Sequence, residues 1–221
     1  MRKLWDEFCA EHQILESSVP LFETSGQIVK TAAFGQNQRL LLCRSSEMDS
    51  LVIQEVNKVL LDFQVGSTEY EGLIYMMFWR DDHQAIPLYI GKSEKYGKQG
   101  NNLSANIAQI ASNKGKFCRW GDAYAYHIGD LSAAVCPDHP PEKASPKYKR
   151  WAKRLFETVP STQPLLKQST YFWIHAWKTD CIGIWKDLGA TRLTSLEYQL
   201  IAIASQLFPD SLLNEEGVNR K

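Results

Sequence analysis

The side chains with most chemistry to offer fall in a few short stretches. Tyr75 closes Gly72-Leu73-Ile74-Tyr75, and Tyr89 opens Tyr89-Ile90-Gly91-Lys92-Ser93. Phenolic hydroxyls both donate and accept hydrogen bonds, although tyrosines in such apolar runs also serve simply to pack a sheet. His127 can orient water or take a proton, or it is a hydrogen-bonded structural histidine. Glu197, in Thr194-Ser195-Leu196-Glu197, fits a capping box in which the carboxylate satisfies a helix N-terminal donor. Asn214, five residues beyond Pro209, suits a turn or cap. Cations gather between these groups. Residues 92–154 hold twelve Lys/Arg against five Asp/Glu, a net of +7 inside a chain whose formal charge is zero. That asymmetry points to a local site for a polyanion on a neutral body, or to a lysine-rich solvated face. Lys95, Lys98, Lys147, Arg150 and Arg154 are the cations expected to meet backbone phosphates, the last three on one face of a helix. Cys136-Pro137-Asp138-His139 has ligand-like spacing, but no second Cys/His pair answers it, so zinc is not expected. The sequence holds no P-loop, GxGxxG, HExxH or GxSxG pattern.

Hydrophobic spacing indicates the elements that position these groups. Leu4, Phe8 and Leu15 suggest a helix over 3–16, and short β-like stretches cover 27–34 and 39–43. Val52, Val56, Val59, Leu60 and Phe63 recur at three and four, predicting a helix over 48–63. Leu73–Trp79 and Ile86–Ile90 read as a hairpin. A helix is expected over Leu103–Ala111, a strand over Ala123–Ile128 that ends near His127, and a basic helix over 147–157. Thr170–Trp177 alternates as a strand, and Ser195–Leu207 carries a helical seam that Pro209 ends. Strands and helices without regular βαβ alternation place the chain in the α+β class. The expected architecture is a small three-stranded antiparallel sheet flanked by helices, with an added N-terminal α/β segment. The division is an accessory segment over 1–66 and a main domain over 67–221.

Together, Gly72-Leu73-Ile74-Tyr75 and Tyr89-Ile90-Gly91-Lys92-Ser93 resemble the paired motifs of the GIY-YIG nuclease superfamily. Leu196-Glu197-Tyr198 followed by Pro209 and Asn214 is similar in type and order to that family's helical glutamate, proline and asparagine. The resemblance covers roughly 70–216. It implies metal-dependent hydrolysis of phosphodiester bonds in DNA (with RNA open), in a restriction, defence or repair setting. Glu197 would then hold Mg²⁺ or Mn²⁺. Tyr75 would act as general base, its pKa drawn down from ~10 by nearby cations. Tyr89 would position phosphate, with Lys92, His127 and Asn214 completing the catalytic set. The family's arginine on the helix after the second motif has no match in Leu103-Ser104-Ala105-Asn106-Ile107. Arg119 is the first candidate to replace it, and Lys92 and Lys95 come next. Without a replacement, the alternative is a nucleic-acid-binding protein that keeps the fold and has lost catalysis.

The remaining expectations are general. Composition, at 44% hydrophobic and 23% charged, is that of a globular protein. Five cysteines, an odd number without framework spacing, suggest reduced thiols. With neither a signal-like N-terminus nor an apolar span of ~20 residues, a cytoplasmic protein with no membrane partner is expected. The N-terminal segment would serve specificity, substrate clamping or homodimer formation.

Overall fold

The computed structural model describes all residues except 83, 98, 99 and 219–221. Six consecutive apolar residues, Leu73–Phe78, lie at its centre, and their side chains alternate between two buried layers. A strand whose two faces are both covered carries such a continuous apolar run instead of an apolar–polar alternation.

In chain order the elements begin with α1 (Arg2–Glu11), the single-turn α2 (Ile14–Ser17) and β1 (Val19–Pro20). Two small hairpins follow. One pairs β2 (Thr24–Ser25) with β3 (Ile28–Val29), the other β4 (Thr31–Phe34) with β5 (Arg39–Leu42). Next is α3 (Ser46–Gln64), where Ser45 accepts the Met48 N–H at 2.9 Å and Glu47 and Asp49 suit the positive end of the helix dipole. The main strands are β6 (Tyr70–Asp81) and β7 (Gln84–Glu94), then β8 (Thr170–Lys178). Between β7 and β8 lie α4 (His127–Val135) and α5 (Pro146–Leu155), and α6 (Leu193–Leu207) follows β8.

The main sheet is antiparallel with strand order β1-β8-β6-β7. Leu73, Tyr75 and Met77 face one core with α3, α4 and α5. Ile74, Met76 and Phe78 face the other, with α1 and α6. The first 66 residues are built into this body. They supply an edge strand, a helix on each face, and Glu55, whose carboxylate accepts the Ala176 N–H at 2.8 Å where β1 stops short on the β8 edge.

Two expected elements do not form. Residues 105–112 are a series of turns, with Gln109 at positive φ. Ser104, Asn106 and Asn113 are residues whose side chains favour turns. The alternation at Ala123–Ile128 does not make a strand. Ala125 has a φ of +71°, its N–H goes to the Asp130 carboxylate at 2.8 Å, and the chain enters α4 at His127.

Candidate active site

β7 is the outermost strand, and its outer edge is closed by the C-terminal segment. The Leu213 N–H donates to the Leu88 carbonyl at 2.7 Å. The Asn214 amide then mimics a strand, accepting the Ile90 N–H at 3.0 Å and donating to the Ile90 carbonyl at 2.8 Å. Lys92, two residues on, presents its peptide groups to the same side. Its carbonyl accepts the Tyr75 hydroxyl at 3.3 Å, and its backbone lies near enough to the Glu197 carboxylate to oppose the rise in that group's pKa. Tyr75 belongs to the α3–α4–α5 face and α6 to the opposite face. The two groups therefore reach one residue from opposite sides of the sheet, around its edge.

Gly91 makes this crossing possible. A Cβ there would lie 2.7 Å from the Tyr75 ring, so only glycine lets the ring lie across β7 with its hydroxyl at the edge. Gly72, with φ +149°, lies where a Cβ would run into the Ser93 carbonyl, at the bulge that opens β6. The glycines of both motifs thus serve close approach of backbone to backbone or ring.

Glu197 lies within α6 and lines a cavity of about 200 Å³ with Tyr89, Lys147, Tyr198, Asn214 and Glu216. The capping-box reading fails here. The helix begins at Leu193 after Arg192, and the Leu193 N–H is taken by Glu71 of β6 at 2.7 Å. Burial raises the Glu197 pKa above the ordinary carboxylate value. Lys92 acts against that shift, while Glu94 and Glu216 reinforce it. Among the described residues Glu197 has no ion-pair partner within salt-bridge distance.

Arg119 follows two residues, Phe117 and Cys118, and all three have positive φ (29°, 51° and 72°). Such backbone costs on the order of 1–3 kcal/mol per residue and persists only where the surroundings fix it. Here buried Phe117 lies beneath the Arg44 and Lys114 side chains, and the Cys118 N–H donates to Asn106 at 2.7 Å. The guanidinium lies 5.4 Å from the Tyr126 ring centre and near enough to Tyr75, Tyr89 and His127 to oppose or add to their pKa shifts. Among the described residues no carboxylate pairs with it, so its charge is available.

Several expectations change at this point. Tyr75 is buried and its pKa is driven well above 10, because desolvation outweighs the Arg119 charge. Tyr89 is pushed up to about 12 by burial and then by Glu197, with Arg119 opposing. Cations do not lower either phenol, so both are built to donate hydrogen bonds. His127 is the first residue of α4, not the end of a strand. It is buried, stacked on Trp151, with Nδ1 2.8 Å from the Tyr148 hydroxyl. Burial, then Lys147 and Arg119, hold its pKa well below 6.5, so the ring is neutral, and it packs behind Tyr89 with ring centres 5.1 Å apart. The Asn214 amide is fully engaged with Ile90 and positions the strand. The Lys92 ammonium is paired with Glu94.

Lys95 is fully buried (0% exposed) and its ammonium lies 2.6 Å from Asp62, with the Ser67 carbonyl at 2.7 Å. It is therefore removed from both the phosphate-contacting set and the candidates for the missing arginine. Lys98 lies outside the described residues. Lys147 lines the Glu197 cavity, 4.8 Å above the Tyr89 ring, while Arg150 pairs with Glu215 and Arg154 donates to the Asp210 carbonyl. Glu216, Tyr198 and the packing of Trp120 and Tyr148 around His127 were not anticipated. The i, i+3 spacing of Tyr148 and Trp151 signalled an inward face of α5; nothing local marked Glu216.

No group of three metal-ligating side chains exists among the described residues. A half-buried, unpaired carboxylate with Glu215 and Glu216 at the same cavity does suit Mg²⁺ or Mn²⁺, whose shell is completed by water and phosphate oxygens. No described helix is long and apolar enough to cross a membrane. In comparisons with known proteins, the chain matches no family model, no curated protein and no solved structure. The likeness to GIY-YIG nucleases therefore rests on the motif residues alone.

Proposed function

We propose that the chain is a metal-dependent nuclease of GIY-YIG type that hydrolyses phosphodiester bonds in DNA. The observation that carries this reading is that Tyr75, bonded to the Lys92 carbonyl, and Glu197 both come to the edge of β7 at Lys92, with Tyr89 in the Glu197 cavity and an unpaired Arg119 near both phenols. Glu197 is the residue to hold Mg²⁺ or Mn²⁺, which supplies charge stabilisation to the phosphate oxygens. Arg119 and Lys147 are the side chains to stabilise developing negative charge. The Tyr89 hydroxyl donates to a phosphate oxygen, and Tyr75, held on the Lys92 carbonyl, fixes the strand edge against which the phosphate sits. Of the other two carboxylates of the cavity, Glu215 is paired with Arg150, and Glu216 is the one to accept the proton of an attacking water.

The absence of an arginine from the stretch after the second motif, Leu103-Ser104-Ala105-Asn106-Ile107, favours a second reading, a nucleic-acid-binding protein without cleavage. Labelled plasmid and single-stranded DNA incubated with the purified protein, in Mg²⁺ or in EDTA, separate the two. The nuclease reading expects metal-dependent cleavage that falls about a hundredfold or more in Glu197→Ala and Arg119→Ala. Undiminished cleavage by Glu197→Ala would show the site to be misassigned, and binding without cleavage by the unaltered protein would support the second reading.

A further inference from the structure

A groove of about 630 Å³ opens directly beside the Glu197 cavity and shares Asn214 and Glu215 with it. One wall is α5, with Arg150, Lys153 and Arg154; Lys167 joins them from the segment leading to β8, and Trp79 also lines the groove. The opposite wall is the chain from Pro209 to Glu215, which carries both acids of the lining, Asp210 and Glu215. Arg150 is paired across the groove with Glu215, a contact exposed on both sides. Lys167 donates to the Lys153 carbonyl at 2.8 Å, and among the described residues neither lysine has a carboxylate partner.

We infer that this groove holds a single-stranded segment of nucleic acid continuing from the phosphate at Glu197. Glu215 occupies Arg150 until a phosphate displaces it. The inference rests on the nucleic-acid reading of the neighbouring site. The charge is complementary to a sugar–phosphate backbone, and the groove leads out of the cavity where a scissile phosphate would lie. Trp79, half-buried against the core, is the aromatic side chain among the residues lining the groove. An aromatic face in a cationic groove is a stacking platform for an unpaired base, whereas bases in a duplex are already stacked on each other. The Trp79 indole N–H is satisfied by Thr170 Oγ1 at 3.3 Å, so no buried donor is left unpaired if the ring is used for stacking.

The test measures binding by fluorescence anisotropy in EDTA over a series of salt concentrations, using a labelled oligonucleotide and its duplex. The single strand should bind more tightly than the duplex. Lys153→Gln combined with Lys167→Gln should lower the slope of log affinity against log salt by about two. Glu215→Gln should tighten binding several-fold at low salt. Trp79→Ala should weaken single-strand binding by about tenfold, with most of it recovered in Trp79→Phe. Thermal melting checks that each variant is folded; if Trp79→Ala is not, Trp79→Phe and the exposed lysine pair carry the test. Unchanged affinity and slope in the lysine pair and in Glu215→Gln would overturn the inference, as would failure of the unaltered protein to bind either probe. Silent groove variants beside Glu197-dependent cleavage would remove the groove and leave the site. Groove variants that act as expected in a protein that never cleaves would keep the groove and remove the hydrolytic reading.

Discussion

The Tyr75 hydroxyl reaches the outer edge of β7 because residue 91 has no side chain, and the candidate site depends on that absence. Gly91→Ala should force the ring aside and break its bond to the Lys92 carbonyl. Overpacking of this kind costs about 1–3 kcal/mol. Misplacement near a reacting group costs about a hundredfold in rate. Urea titration and the plasmid assay read the two effects, and a Gly91→Ala protein with unaltered stability and cleavage would show that the ring has room to move. At this scale the sequence was informative where a motif carried the residue. Tyr75, Tyr89, Lys92 and Glu197 converge on one strand edge. It was misleading for Lys95, because its partner Asp62 lies 33 residues upstream and no local pattern reveals a buried pair. The ionisation of the phenols was also illegible, since desolvation depends on which helices cover them.

Elements with one dominant periodicity form where the pattern puts them. α3 and α6 repeat apolar residues at helical spacing, and β6 is a continuous apolar run of strand length that leads through a polar turn into β7. Residues 105–112 and 123–126 fail because their short apolar repeats compete with turn-forming side chains and positive φ. The contact of α1 with β8 makes a prediction about pH. His12, just after α1, packs 5.5 Å from the His175 ring, and its pKa is lowered to about 4 by burial and then by His175, with Glu11 opposing. In the unfolded chain the same group titrates near ~6.5. Between those values the unfolded state binds a proton that the folded state refuses. Stability should therefore fall as pH drops from about 6.5 to about 4, and it should not change above that range on account of this residue. Urea midpoints measured across the range should show that slope, and His12→Gln should lessen it, leaving the part that the lowered pKa values of His127 and His175 contribute. An equal slope in the variant would assign the acid sensitivity elsewhere.

Across the whole molecule, the first 66 residues and the motif-bearing strands share their cores, with Val52, Val56 and Val59 of α3 buried against Leu73 and Met77. Sequence reading separated the two parts because the resemblance begins near residue 70, whereas packing joins them. Their strongest polar link is the Asp62–Lys95 pair, which ties the end of α3 to the chain leaving β7. Breaking a buried pair by removing one partner costs about 3–5 kcal/mol. Lys95→Ala should lose stability on that order in chemical denaturation; a loss no larger than that of an exposed lysine would mean that the pair is not closed in solution.

The claim that joins these scales is that Glu197 holds a divalent ion at the β7 edge. Mn²⁺ titration followed by the loss of its free-ion paramagnetic resonance signal tests this without requiring turnover. The account predicts binding by the unaltered protein that weakens at least about tenfold in Glu197→Gln with an unchanged melting temperature. Equal Mn²⁺ binding by the two proteins, or none by either, would contradict it.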